Sequence, residues 1–279
     1  MWQCKIAPSL GDGFAGHPND IWKTTNYFNQ EDQTVFFGMY GLPDFYSLWR
    51  HKGKKAILWA GSDIEHFING YWLEEKGVVK LSPKPLAAWI NRNCDSWVEN
   101  EVEAESLRKF GIKSNICPSF LGNMDDFPDS FIPSDNPKVY LSVSGNYYEE
   151  YGWNLIEDIA AEVPEITFYL YGSDKWKTKH NNVIVKGRVS QEKMDSEIKD
   201  MQCGLRLNKV DGFSEITAKS ILWGQYPIVR KEFGYPHIDG FETREELISL
   251  LKCLKTKKES NPVREIYRNK INRYPWNTK

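Results

Sequence analysis

The sequence has no apolar run long enough to span a bilayer, which takes about twenty consecutive apolar residues. Residues 1–7 also lack the apolar core and small-residue cleavage site of a secretory signal peptide. We therefore expect a cytoplasmic protein. With 279 residues, of which 41% are hydrophobic, the chain can bury one large core or two modest ones.

Cysteine is scarce, and the five cysteines are widely spaced without any Cys-x-x-Cys motif. This spacing argues against a disulfide framework and against a zinc site. We interpret the cysteines as reduced core residues.

Several enzyme signatures are also missing. There is no Gly-x-Ser-x-Gly nucleophile elbow and no P-loop lysine motif, so the hydrolase and NTPase classes have no support. No cluster of His, Cys and carboxylate residues has metal-ligand spacing, so we expect neither a metal nor a cofactor.

Charge is nearly balanced at a net −2, but its distribution is uneven. Residues 252–279 carry nine Lys and Arg residues against two acidic ones. Such a segment can attract phosphates or make a peripheral contact with anionic membrane headgroups, or it can be a solvated lysine face. No aromatic residue interleaves the lysines of residues 252–258 as base stacking would require, which argues against a nucleic-acid partner.

Short strand-like runs alternate with helix-like runs, a pattern that predicts an α/β fold with parallel sheets between helices. Residues 121–138 contain three prolines together with Gly122 and Asn123, and therefore predict an interdomain linker. The predicted strands are residues 3–7, 34–37, 55–59, 78–81, 96–98 and 114–117 before the linker, and residues 139–143, 166–171, 183–185, 204–207 and 227–229 after it.

Residues 211–224 form the most informative segment, because they predict a loop, a helix N-terminus and a short buried helix that stops at Gly224. The free N–H groups from Gly212 to Glu215 and the positive end of the helix dipole would face an anion such as a phosphate. Asp211 would lie beside that anion.

This segment resembles the donor-binding motif of GT-B glycosyltransferases, especially the retaining, family 4-like enzymes. In that motif an acidic-Gly-Phe-Gly turn leads into a helix that carries a second glutamate. Asp211 stands at the first acidic position, whereas Lys219 stands where the second glutamate is expected. Residues 183–192 and 203–208 resemble the family's segments before the donor loop, and residues 57–64 resemble its strand-His-Gly-Ser/Thr-Asp turn, with Ala60 replacing the histidine.

The resemblance implies an α/β fold of two Rossmann-like lobes that face a cleft. The expected domains are an acceptor-side lobe with the linker (residues 1–135), a donor-binding lobe (136–260) and a C-terminal helix that packs back on the first lobe (261–279). It also implies a nucleotide-sugar donor and a carbohydrate or lipid-linked acceptor. The sequence lacks the Asp-x-Asp motif of metal-dependent GT-A enzymes, so transfer is expected to be metal-independent.

The family's Gly-Arg…Lys-Gly turn, in which both cations hold the donor diphosphate, aligns with residues 144–152. Asn146 and Tyr151 replace the two cations. We expect Lys219, Arg206 and Lys209 to supply the missing charge, with a structural pairing of Arg206 and a carboxylate as an equal alternative. Lys219 should contact phosphate or pair with Asp211 or Glu215. The expected donor-binding residues are Gly145, Asn146, Arg206, Lys209, Gly212, Phe213, Ser214, Glu215 and Lys219.

Acceptor-side residues are expected in the loops after the first and third strands, because parallel sheets bind ligands at the carboxyl ends of their strands. Gly11, Gly13 and His17 would face the acceptor, with a plain surface turn as the alternative. Asp12 and Asp63 are the candidate bases, and Asp211 completes the candidate catalytic set. Asp63 has a second interpretation as a helix cap, and His66 is a candidate only by position.

Two classes of function remain open. The first is a glycosyltransferase that moves a sugar from a nucleotide-activated donor to an unidentified acceptor. The second is a catalytically silent GT-B-derived binding or scaffold protein, which the missing cations and glutamate keep open. Within the enzyme class, a phage-type DNA-base glucosyltransferase is an alternative, supported by small size and the basic tail and weakened by the acidic first lobe.

Overall fold

The computed structural model describes residues 1–10, 17–73 and 79–277, with side chains described for residues 1–10, 19–71 and 81–277. The chain divides into two compact units. Unit 1 contains Met1–Asn123, Val210–Phe213 and Lys270–Lys279, and unit 2 contains Met124–Lys209 and Ser214–Asn269. The domain boundaries expected at residues 135 and 260 stay predictions. The expected site residues Gly11, Asp12 and Gly13 lie outside the described residues, as does the side chain of His17.

Unit 1 is built on a six-stranded sheet in which every pair of neighbouring strands is parallel. Its elements are β1 Gln3–Ile6, α1 His17–Trp22, β2 Thr25–Asn26, β3 Thr34–Phe37, α2 Leu42–Arg50, β4 Lys55–Leu58, α3 Ser62–Asn69, β5 Tyr71–Leu73, β6 Val79–Leu81, α4 Pro83–Asn93, β7 Asp95–Val98, α5 Glu101–Arg108 and β8 Ser114–Ile116. The strand order is β2-β1-β3-β4-β7-β8, and β5 pairs with β6 in a separate antiparallel hairpin.

Both faces of this sheet are buried, as a parallel sheet requires. Side chains alternate along each strand, so Phe36 and Ile57 enter one core while Val35 and Leu58 enter the other. The C-terminal residues of the chain contribute to the second core. There the rings of Tyr274 and Trp276 stack with centroids 4.6 Å apart.

Unit 2 contains a second parallel sheet of four strands. Its elements are β9 Lys138–Ser142, α6 Trp153–Ile159, β10 Thr167–Tyr171, β11 Val183–Gly187, α7 Gln191–Ile198, β12 Cys203–Gly204, α8 Glu215–Leu222, β13 Ile228–Arg230, β14 Asp239–Phe241, α9 Arg244–Cys253 and α10 Val263–Arg268. The strand order is β11-β10-β9-β12, and β13 forms a parallel pair with β14. A parallel bridge from Leu205 to Ile228 continues the pairing from β12 toward β13.

The predicted mixed α/β class with parallel sheets is confirmed. One strand prediction was wrong in its pairing. Residues 78–81 were expected among the parallel strands, whereas β6 pairs with β5 in the antiparallel hairpin. Helix α10 belongs to unit 2 and Lys270–Lys279 to unit 1. The packing of residues 261–279 back on the first lobe stays a prediction.

The cysteines differ in burial, and not all of them are the core residues that the sequence predicts. Cys4, Cys117 and Cys203 are buried and Cys94 is half-buried, but Cys253 is exposed and is therefore not a core residue. Among the described helices, none combines the length and apolar character that crossing a membrane would take.

Candidate functional site

The loop Val210–Phe213 is called the donor loop after the role that the sequence predicts for it. It belongs to unit 1 and lies at the carboxyl end of β7. Strand β7 ends at Val98, and the next two side chains bind the loop backbone. Asn100 Nδ2 donates a hydrogen bond to the carbonyl oxygen of Asp211 at 2.7 Å. The N–H of Phe213 donates to Glu99 Oε2 at 2.8 Å. An N–H group that the sequence predicts for a phosphate therefore binds a carboxylate of the protein.

Two glycines make this approach sterically possible. A Cβ on Gly212 would lie 2.0 Å from Glu99 Oε2, so a larger residue there would require the Glu99 carboxylate to move. Gly61, which follows β4, would place a Cβ 3.3 Å from Glu103 Oε1 and 3.7 Å from the backbone nitrogen of Gly212. Its φ of +85° by itself accounts for a glycine at position 61, whereas at position 212 the approach of Glu99 does.

Glu103 lies next to the donor loop, and the sequence did not single it out as a site residue. Asn100 caps α5 by accepting from the Glu103 N–H at 3.0 Å, and Glu103 Oε2 accepts from the Glu99 N–H at 2.8 Å. The side chain is buried, and Oε1 has no hydrogen-bond partner among the described residues. Burial, followed by the charge of Glu99, raises the pKa of Glu103 well above its usual value. The pattern Asn-x-x-Glu, typical of a capping box, was the available sequence signal.

Asp63 is completely buried. Its carboxylate accepts hydrogen bonds from the N–H groups of Met39, at 2.7 Å, and Ala60, at 2.9 Å. It thereby joins the loops that follow β3 and β4. Desolvation raises its pKa to about 7. The N-cap position of α3 is Gly61, so the interpretation of Asp63 as the cap residue was wrong, while its role as a base stays a prediction.

Two exposed polar side chains and the half-buried Tyr40 lie close to Asp63. The hydroxyl groups of Tyr40 and Ser62 are 3.2 Å apart, and the ring of His66 meets that of Tyr40 edge-on with centroids 5.6 Å apart. Ser62 and His66 are exposed on α3, which begins just beyond the carboxyl end of β4. These groups can reach a bound molecule, whereas Asp63 in this conformation cannot.

In unit 2, residues 144–152 follow β9 and bring Arg206 beside Tyr151. The Arg206 guanidinium lies 5.0 Å from the centroid of the Tyr151 ring, within the range of a cation–π contact. A Cβ on Gly152 would lie 2.4 Å from Leu207 Cβ, so this turn packs directly against the segment that carries Arg206. Gly145 has φ +61° and Asn146 is exposed. The Arg206 guanidinium thus lies beside Tyr151, one of the two residues that replace the cations of the family motif.

The remaining expected donor residues are dispersed within unit 2. Ser214 is the N-cap of α8 and accepts from the Thr217 N–H at 3.2 Å, while Glu215 and Lys209 are exposed. Lys219 is buried, and its Nζ donates to both carboxylate oxygens of Asp195, at 2.7 and 2.9 Å. The expected pairing of Lys219 with Asp211 or Glu215 was wrong, because Asp195 of α7 is its partner.

Within the described ranges, no group of three or more His, Cys, Asp and Glu side chains is arranged to hold a metal ion.

No protein-family model matches the sequence, and no curated protein matches it in sequence. Solved structures do match. S. aureus TarM, as a mutant in complex with Fondaparinux, alpha-GlcNAc-glycerol and UDP, superposes on 87% of this chain and 52% of its own, with a TM-score of 0.58 and 12% identity. Anabaena HepE in complex with UDP-glucose superposes on 85% of this chain and 74% of its own, with a TM-score of 0.57 and 12% identity. Sucrose-phosphate synthase from Thermosynechococcus elongatus superposes on 85% of this chain and 69% of its own, with a TM-score of 0.55 and 12% identity.

These neighbours are GT-B glycosyltransferases. The chain shares their fold. It spans about half the length of TarM, with 52% of that chain covered. At 12% identity the likeness concerns the fold and leaves the activity to the residues of the site.

Proposed function

We propose that this protein is a glycosyltransferase that moves a sugar from a nucleotide-activated donor to a carbohydrate or lipid-linked acceptor without a metal ion. The observation that carries the proposal is the Arg206 guanidinium, which lies over Tyr151 beside the glycine turn at residues 144–152. Fold neighbours solved with UDP and with UDP-glucose support the donor class.

On the donor side, Arg206 supplies the positive charge that Asn146 and Tyr151 lack. A guanidinium binds phosphate oxygens through paired N–H donors and keeps its charge at any physiological pH. As the bond between the sugar and the donor phosphate breaks, negative charge accumulates on the leaving diphosphate. A positioned cation stabilises that charge, and the N-terminus of α8 capped by Ser214 adds its dipole.

On the acceptor side, a base must come within hydrogen-bond distance of the hydroxyl that it deprotonates. His66 on α3 satisfies the requirement of access. Buried Asp63 fixes the loops that follow β3 and β4, of which the first carries Tyr40 and the second leads into α3. We therefore assign deprotonation to His66 and the positioning of these loops to Asp63. Asp12 and Asp211 stay candidates for contact with the acceptor or the donor.

Binding of UDP and transfer from a panel of nucleotide sugars test the proposal. Replacing Arg206 by Gln should weaken UDP binding in calorimetry about tenfold, which corresponds to about 1.4 kcal/mol for a lost charge-assisted hydrogen bond. Arg244→Gln is the matched control, since this guanidinium on α9 pairs with Glu162 in the same unit. UDP at a hundred times its dissociation constant should stabilise the wild type by about 2.7 kcal/mol.

A wild-type protein that neither binds UDP nor transfers sugar from any nucleotide sugar would reject the enzyme in favour of the scaffold protein. Equal UDP affinity in wild type and Arg206→Gln would remove Arg206 from the donor site.

A further inference from the structure

Two hydrogen bonds hold the donor loop on either side of Gly212. One runs from Asn100 Nδ2 to the carbonyl of Asp211, and the other runs from the N–H of Phe213 to Glu99 Oε2. Both anchoring side chains directly follow β7, so they project from the rigid end of a central strand of the sheet. The backbone of the loop is thus fixed through one donor and one acceptor.

Glu99 is itself held in place by its second oxygen. The hydroxyl of Ser119 donates to Glu99 Oε1, which leaves Oε2 directed at Phe213. Any side chain at position 212 would collide with this carboxylate, because a Cβ there would lie 2.0 Å from Oε2. The glycine of the motif is therefore matched to the position of the Glu99 carboxylate.

Glu103 supports this arrangement from below. Its Oε2 accepts from the Glu99 backbone N–H, and its Oε1, which no described residue binds, is directed toward Gly61 and Gly212. The titratable groups around it are Glu99 at the end of β7, Asp63 on α3 and Asp211 in the donor loop. Burial and these carboxylates raise the pKa of Glu103, and the neutral form that this favours limits the repulsion between Glu103 and Glu99.

We propose that Glu99 and Asn100 are positioning residues that fix Asp211, Gly212 and Phe213 for binding the donor. This inference rests on the proposed function, because it takes the donor loop to serve the nucleotide sugar. The positioning acts through the loop backbone, and neither side chain is required to touch the sugar or the acceptor.

Hydrogen exchange of the Phe213 amide tests the contact itself. Glu99→Ala should speed exchange of this amide at least tenfold, because the acceptor is lost, whereas Glu99→Gln retains an oxygen and should restore most of the protection. Glu101→Ala is the matched control, an exposed glutamate two residues away at the start of α5. Unchanged exchange in a folded Glu99→Ala protein would overturn the inference.

Donor kinetics test the positioning role. Glu99→Ala and Asn100→Asp should each raise the donor KM about tenfold and leave the acceptor KM unchanged. Asn100→Asp keeps the oxygen that caps α5 but removes the N–H that binds Asp211, so it spares the helix. An unchanged donor KM in both variants, with a wild type that binds UDP, would overturn the inference. A wild type that neither binds UDP nor transfers sugar from any nucleotide sugar would overturn the proposed function instead, and the positioning role with it.

Discussion

Two equally buried charged side chains, one from each unit, lie in opposite electrostatic surroundings. Lys219 in unit 2 and Glu103 in unit 1 are both 6% exposed. Lys219 donates to both oxygens of Asp195, whereas Glu103 has carboxylates as neighbours and one oxygen that no described residue binds. Burial of an ionised group is tolerated where an opposite charge compensates it, and otherwise favours the neutral form. Lys219 thus joins α7 to α8 as a structural pair, while burial and the neighbouring carboxylates raise the pKa of Glu103 beside the donor loop.

Removing Lys219 should produce the largest effect. Lys219→Met leaves the half-buried Asp195 without its partner, and breaking a buried pair from one side costs about 4 kcal/mol of unfolding free energy. Denaturant unfolding measures it, with Lys193→Met on the exposed face of α7 as the matched control. Adding Asp195→Leu should recover most of the loss. A change no larger than that of the control would make the pair irrelevant to stability, and a large loss of UDP affinity in the folded variant would return Lys219 to the donor site.

The pH dependence of stability should distinguish the buried carboxyl groups of unit 1 from the ion pair of unit 2. The pKa of Asp63 is raised from 3.8 to about 7 in the folded protein, so the folded state binds more protons than the unfolded state between these values. Stability therefore falls as pH rises through this window, by about 2 kcal/mol between pH 5 and pH 7. In Asp63→Asn this part of the slope should vanish, with stability at pH 5 within about 1 kcal/mol of wild type.

Unfolding titrations of wild type, Asp63→Asn and the exposed control Glu65→Gln on α3 measure the slope. A slope that survives Asp63→Asn unchanged would assign the pH dependence to Glu103 alone.

Exposure rather than charge should decide which group of α3 takes part in chemistry. His66→Gln should lower turnover about 10²-fold, which is at the lower end of the effect of a general base, without altering thermal stability. Asp63→Asn should act mainly on stability, because its carboxyl group cannot reach an acceptor. The reverse pattern, with turnover lost in Asp63→Asn alone, would restore Asp63 as the base.

The smallest expected effect is that of chelation. If Arg206 and the α8 N-terminus meet the charge of the leaving diphosphate, turnover should be the same with EDTA as with Mg²⁺ or Mn²⁺. A drop of tenfold or more in EDTA that added metal reverses would show that a cation shares this role.

Local patterns predicted the fold well. Strands β3, β4 and β7 and helix α8 lie within a few residues of their predicted positions, because alternation and helical spacing indicate which face of an element is buried. Residues 78–81 show where the same reasoning fails. A short apolar run is equally compatible with a parallel strand and with a hairpin, and only the presence of β5 beside it decides between them.

The candidate site divides along the same line. The sequence by itself determined the order of the elements, the glycine turns at residues 61 and 145, and the cap of α8 by Ser214, because each depends on residues within a few positions of one another. Only the tertiary structure brought Asn100 and Glu99 to the donor loop, since Asn100 and Asp211 are 111 residues apart. It likewise paired Lys219 with Asp195, 24 residues earlier, rather than with Glu215 on the same helix. Such pairings depend on how whole elements pack. Packing removes particular charges from water, and each then interacts with the side chain that the fold places next to it.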